Sequence, residues 1–274
     1  MQKFLPTNDL LFKKFLTSED SQHILKAFVK DLLGIEFKSL KPKQTYHIDS
    51  YIENYEKQQK EAKKEKKVLY TEVDVLAEAD DGSRTTIECQ VQNQDYFNAR
   101  ALFYLTEAYR APFGRKSNSK EKESNYSSLY PAYGINIVDF YPASKDANAL
   151  QRYHLLEEQS YTPFVNDEGK ELLILCFLSL RNKNIDRTSA AYHWQFFLKE
   201  GEVLENAPEY IKEAKQKVDY HNLERSEQTM IMKMEKAEAT FKAIVSMEKR
   251  KALEEGIERG IEEGMEKGIE KGER

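Results

Sequence analysis

The sequence is poor in cysteine, histidine and long apolar runs, and each shortage removes a class of protein. Its 274 residues hold two cysteines, Cys89 and Cys176, far apart and with no CxxC pair. A disulfide framework and a thiolate zinc site are therefore excluded, and both thiols are expected to fill core space. The five histidines (His23, His47, His154, His193, His221) show no metal-ligand spacing, so zinc chemistry is not indicated. No GxxxxGK[ST] or GxGxxG motif occurs, so no nucleotide cofactor is expected. The longest apolar stretch, Leu172 to Leu180, is far shorter than the roughly 20 residues of a bilayer span, so no membrane partner is expected. The opening apolar run is broken by Asn8 and Asp9 and does not read as a signal peptide, which makes cytoplasmic the default location. Excess positive charge is also missing. Lys and Arg number 42 against 47 Asp and Glu, for a net charge of −5. That balance excludes a protein that coats nucleic acid with its whole surface, and leaves open one with a local basic groove. Lys57 to Lys67, Lys116, Lys120 and Lys122 are candidates for such a groove.

What is present is ample core material. Apolar residues make up 40% of the chain, with 16 Tyr and 14 Phe, enough to bury a sizeable interior. Asn8 or Asp9 can cap a first helix carrying Leu10, Leu11, Phe12, Phe15 and Leu16. A second begins near Ser18 or Ser21, carries Ile24, Leu25, Phe28, Val29, Leu32 and Leu33, and stops at Gly34. The run from Glu56 to Lys67 holds six Lys and three Glu and reads either as an exposed helix or as a flexible insert. Asn98 to Ala111 predicts a helix ended by Pro112 and Gly114. Tyr133 to Tyr141 and Leu172 to Leu180 predict strands, and a further strand is expected within Tyr153 to Tyr161. Ala190 to Leu198 predicts a short aromatic helix. Beyond Pro208 the composition predicts long helix, closing on a period-four tail of Gly256, Gly260, Gly264, Gly268 and Gly272. The order indicates an α/β chain with a mixed sheet and a helical C-terminal extension.

Val73, Val75 and Ala77 alternate with Glu72, Asp74 and Leu76, and beyond Asp80-Asp81-Gly82 Ile87, Cys89 and Val91 alternate with Glu88, Gln90 and Gln92. Period two on both sides of a turn predicts an antiparallel hairpin. A two-residue Asp81-Gly82 turn would put the carboxylates of Asp74 and Glu88 on opposite faces. A three-residue loop with Gly82 left-handed pairs Ala79 with Ser83 and Asp74 with Glu88, giving one apolar and one polar face. The second register is the expected one.

Asp74 and Glu88 then project side by side, with Gln90 on the same face. Two adjacent carboxylates repel, and a divalent cation relieves that cost. Mg²⁺ takes one or two carboxylates, keeps several waters and accepts phosphate oxygens. The backbone carbonyl of Cys89 is a third candidate ligand. Gln90 cannot be a charged base, and its amide could position water or a phosphate oxygen. The plainer reading is an ordinary hairpin with a wet face, and the spacing alone does not choose between the two. Asp9 competes between capping a helix and joining the metal site. Arg100 and Tyr104 share one helix face and could meet a phosphate. Glu72 shares the polar face of Asp74, and Asp139 reads as structural.

Taken together, DVLAEADDGSRTTIECQVQNQ (Asp74 to Gln94), Arg100 and Tyr104, and LYPAYGINIVDF (Leu129 to Phe140) resemble the PD-(D/E)xK nuclease-family transposases, also called the Rpn or recombination-promoting nuclease family. The opening NDLLFKKFLTSED, the AYHWQFFLK segment and the glycine-repeat tail are similar to that family too. The resemblance implies a restriction-endonuclease-like core over residues 1–200, with a polar insert near 55–67 and a helical extension over 201–274. It implies Mg²⁺-dependent cleavage of DNA, Mn²⁺ substituting, with Asp74 and Glu88 as metal ligands and Gln90 where the broad superfamily has Lys. It also implies a recombination or mobile-element setting. The competing expectation is an inactive nuclease fold used as an interaction protein, its copies assembling through the C-terminal helices.

Overall fold

The computed structural model describes residues 4–64, 73–92, 95–114 and 125–272. The chain divides into two compact units, Met1–Leu223 and Glu224–Arg274.

The first unit opens with α1 (Asp9–Thr17), capped by Asn8, whose side chain accepts from Leu10 N at 3.1 Å. A 3₁₀ turn (Glu19–Ser21) leads to α2 (Gln22–Leu33), which ends at Gly34 in the left-handed region (φ 77°). Both helices bury their apolar stripes completely or nearly so. Phe12 and Phe15 of α1 and Phe28 of α2 interlock with Trp194 and Phe197 of α5 (Ala190–Glu200), with ring centroids 4.9–6.4 Å apart. Edge-to-face rings of this kind add to the area they bury.

The sheet has six strands in the order β1-β2-β3-β4-β6-β5. These are β1 (Leu40–Pro42), β2 (Val75–Ala79), β3 (Arg84–Gln90), β4 (Ala132–Val138), β5 (Leu150–His154) and β6 (Leu173–Ser179). β3, β4 and β6 run parallel, and the outer pairs are antiparallel. α4 (Phe97–Arg110) makes the crossover from β3 to β4, as a parallel pair requires. It covers one face, with Leu105 and Ala108 on Ala132, and Phe97 and Ala101 on Val138 and Phe177. Successive strand residues face opposite ways, so Cys176, beside Phe177, meets the other layer, its thiol 3.5 Å from Leu32 O of α2. With both faces covered, β4 is buried along its whole length, as its unbroken Ile/Val run suggests.

The hairpin pairs Val75 with Ile87 and Glu78 with Arg84. Ala79 N donates to Ser83 O at 2.8 Å, and Gly82 is left-handed at φ 82°. This is the three-residue-loop register. The polar face it creates is not a wet one. It lies under α4, so Arg84, Thr86 and Glu88 are 7%, 4% and 7% exposed.

Three local readings change. The strand expected within Tyr153 to Tyr161 starts earlier, at Leu150, and stops at His154. Its side chains read as polar, and pairing with β6 selects it rather than apolar periodicity. Arg152 then reaches back to cap α2, its Nε 2.6 Å from Leu32 O. The polar run beyond Glu56 is helical as far as α3 (Ile48–Lys64) extends, and the rest lies outside the described residues, with Lys116, Lys120 and Lys122. The long helix beyond Pro208 is interrupted. α6 (Glu209–Val218) ends at Asp219, whose side chain accepts from His221 N and from Lys215 Nζ. Such local acceptors compete with helix continuation.

The second unit is α7 (Arg225–Gly272), 48 residues long. A Cβ added at Gly256, Gly260 or Gly264 would meet nothing within 4 Å, and Ile257, Ile261 and Met265 are exposed. Among the described residues, no helix is long and apolar enough to cross a membrane.

Candidate functional site

The parallel strands β3, β4 and β6 end at one edge of the sheet, where β3 delivers Glu88, Cys89 and Gln90. Asp74 lies one residue before β2, and the hairpin register carries it opposite Glu88. The two acids interlock through backbone amides. Asp74 N donates to Glu88 Oε1 at 3.2 Å, and Cys89 N donates to Asp74 Oδ2 at 2.7 Å. Burial, then the neighbouring Asp9 carboxylate, pushes the Asp74 carboxyl above its usual range. Burial, then the Asp74 charge, does the same to Glu88. Each acid therefore resists ionising beside the other, and a proton or a cation stabilises the pair.

Asp9 stands at the start of α1, but Asn8 does the capping. Its carboxylate is held elsewhere: Tyr51 Oη of α3 donates to Asp9 Oδ2 at 2.6 Å, and Lys13 Nζ lies 2.9 Å from Oδ1. Burial, then the Asp9 charge, drives the Tyr51 phenol far above its ordinary value, so it stays a hydrogen-bond donor. Lys13 escaped the sequence reading. The signal was its i,i+4 spacing from Asp9, a pattern common on any helix surface.

Gln90 is held at both ends. Its Oε1 accepts from Arg100 Nη2 at 2.7 Å, and its Nε2 donates to Gln92 O at 2.7 Å. The same Arg100 nitrogen is 4.0 Å from Glu88 Oε2, and the guanidinium sits 4.9 Å from the centre of the Phe97 ring. Tyr104, one turn along α4, is half-buried, with its ring edge-on to Phe103. Asp139 follows β4 and pairs with Arg181, Nε to Oδ1 at 3.3 Å. Glu72 lies outside the described residues.

Among the described residues, no three or more His, Cys, Asp or Glu side chains are grouped to hold a metal ion. Two carboxylates still suit Mg²⁺, which needs only one or two and completes its shell with water and phosphate oxygen. The raised Asp74 and Glu88 carboxyls fit such an ion, because it would offset the burial and the repulsion that raise them. Burial pushes the Cys89 thiol up and keeps it neutral, which leaves its backbone carbonyl as that residue's candidate ligand.

The family described as PD-(D/E)XK nuclease family transposase matches residues 6–255. No curated protein and no solved structure gives a significant match.

Proposed function

The chain belongs to the PD-(D/E)XK nuclease family transposases, and from that footing we propose that it is a metal-dependent DNA endonuclease hydrolysing phosphodiester bonds. The observation that carries the reading is the Asp74–Glu88 pair, two carboxyls held by backbone amides where β2 begins and β3 ends. Asp74, Glu88 and the Cys89 carbonyl are the residues that would hold Mg²⁺, or Mn²⁺ in its place. The chemistry expected of that ion is Lewis-acid activation of water and screening of charge on phosphorus.

The chain's own residues orient and neutralise. Gln90, fixed by Gln92 O, holds the Arg100 guanidinium 4.0 Å from Glu88, where it can meet a phosphate oxygen. Asp9 adds negative field behind Asp74 and helps retain a cation there. DNA is the substrate, in a recombination or mobile-element setting. The test is conversion of supercoiled plasmid to nicked or linear forms with Mg²⁺ or Mn²⁺. Asp74→Ala and Glu88→Ala should each abolish it, and equal cleavage by the parent and both variants rejects the assignment.

A second reading has one observation in its favour, the engagement of Gln90 at both ends of its amide. On that reading the fold serves as an interaction protein whose copies assemble through the helical extension. Deleting α7 and measuring the number of copies in solution tests it, and an unchanged number rejects it.

A further inference from the structure

Water attack on a phosphodiester builds negative charge on the phosphoryl oxygens, which a site made of carboxylates alone would oppose. Positive charge reaches Asp74 and Glu88 from two helices. Arg100 of α4 serves Gln90 at 2.7 Å and packs on Phe97 at 4.9 Å. Lys13 belongs to α1, and the residues leading into that helix reach the pair, Thr7 O lying 4.0 Å from Cys89 Sγ. Lys13 Nζ lies 2.9 Å and 3.2 Å from the two oxygens of Asp9 and 5.7 Å from the centre of the Tyr51 ring. Burial by itself pulls this ammonium below its ordinary value. The charges of Asp9, Asp74 and Glu88 outweigh burial and hold it protonated. Its direction is set by a chain of contacts, from Tyr51 Oη to Asp9 at 2.6 Å and from Asp9 to Lys13 at 2.9 Å. An ammonium is a compact, mobile point charge, suited to follow charge as it moves from one oxygen to another.

We propose that Lys13 is a catalytic residue of the hydrolysis, its ammonium contacting the phosphoryl oxygens as charge develops, with Asp9 and Tyr51 as the residues that position it. The inference rests on the nuclease reading above and deepens it. In the step, the water oxygen bonds to phosphorus and the bond from phosphorus to one sugar oxygen breaks. One water hydrogen ends on the released sugar hydroxyl and the other on the phosphomonoester. Lys13 keeps its proton throughout and acts by charge alone.

The experiment compares the parent with K13M, K13R and Y51F, using plasmid cleavage in Mg²⁺ and calorimetric titration of Mn²⁺ without DNA. K13M should lose roughly 10²–10³ in kcat, the scale of one preorganised charge-stabilising group, with KM nearly unchanged. K13R should keep at least about a tenth of the parental kcat, because the charge remains. Mn²⁺ should bind K13M at least as tightly as the parent, since a competing cation has left the site. Parental kcat in K13M overturns the proposal. So does a joint collapse of its Mn²⁺ binding and melting temperature, which marks a structural role. Should K13M fail to fold, Y51F decides: a several-fold fall in kcat at constant KM supports the positioning chain, and parental kcat overturns it. A parent that cleaves nothing in any divalent metal removes the nuclease reading and this proposal together. A cleaving parent with an unimpaired K13M removes only this one.

Discussion

The carboxyls of Asp74 and Glu88 are each held by a main-chain amide of the facing strand segment rather than by one another. Glu88 Oε1 takes the amide of Asp74 at 3.2 Å, while Asp74 Oδ2 takes the amide of Cys89 at 2.7 Å. The amides fix where both carboxylates sit without cancelling their charge.

Neutralising one member should therefore cost little when metal is absent. Asn and Gln retain the accepting oxygen, so D74N and E88Q are expected to melt at or above the parental temperature in EDTA. The parent should gain about 2.7 kcal/mol at a Mg²⁺ concentration 100 times its Kd. The variants should lose most of that gain. Thermal melts with and without Mg²⁺ measure both quantities, and an undiminished Mg²⁺ shift in E88Q would falsify the assignment of Glu88 as a ligand.

The turn that sets the register depends on Gly82. A Cβ there would meet the Tyr130 ring at 2.8 Å, and the backbone is already at φ 82°. G82A is expected to destabilise the first unit by about 1–3 kcal/mol and to weaken Mg²⁺ binding, because the Asp74–Glu88 pairing follows from the turn. Y130A added to G82A should relieve the clash and leave the backbone cost. Urea unfolding of both variants separates the two, and a parental midpoint for G82A contradicts the account.

Asp31 provides a pH test away from the site. Its Oδ2 accepts from Trp194 Nε1 and Tyr210 Oη, both at 2.8 Å, and burial outweighs these bonds and raises its carboxyl above the ordinary value. A folded pKa above the unfolded one means stability that is full below about pH 3.9 and is lost as pH rises through the folded value. D31N should therefore gain on the parent between pH 4 and pH 7. D31A should cost about 1–3 kcal/mol at low pH, mainly through the stranded, fully buried Trp194 N–H, and less as pH rises through the folded value. Denaturant unfolding across that range checks both, and parallel curves for D31N and the parent would exclude the buried-charge explanation.

The tail glycines separate the two readings of α7. With no atom within 4 Å of an added Cβ at Gly256, Gly260 and Gly264, the triple alanine variant should strengthen the helix by about 1 kcal/mol per position. Circular dichroism of the full chain should show a higher-melting helical signal. Assembly through a close glycine seam predicts that the same variant loses mass in solution, and an unchanged parental oligomer excludes such a seam.

The hairpin was legible because two signals agreed: apolar residues at period two, and a glycine at the single loop position that needs positive φ. The capping of α1 was legible as far as naming Asn8 or Asp9. The choice of Asn8 depended on Tyr51, which comes from a helix distant in sequence and occupies Asp9. The placement of Asp74, Glu88 and Gln90 on one hairpin was legible, but their surroundings were not. The mutual hold of Gln90 and Arg100 joins a strand to the next helix, and no spacing rule encodes it. Lys13 was hidden because an Asp–Lys pair four apart looks like any solvated helix surface. The polar side chains of β5 concealed a strand defined by its partner, and the break at Asp219 arose from local side-chain acceptors that composition does not weigh.

The strand order carries a consequence for biosynthesis. β5 leaves the ribosome before β6 but takes its place outside it, so β5 has no partner until β6 has inserted against β4. Until Ser179 has been made, β4 presents a bare parallel edge of unpaired amides and carbonyls, the kind of edge that recruits other chains. Nascent or truncated chains ending between Val138 and Leu173 should need chaperone protection of that edge, a need that ends once β6 has paired with β4.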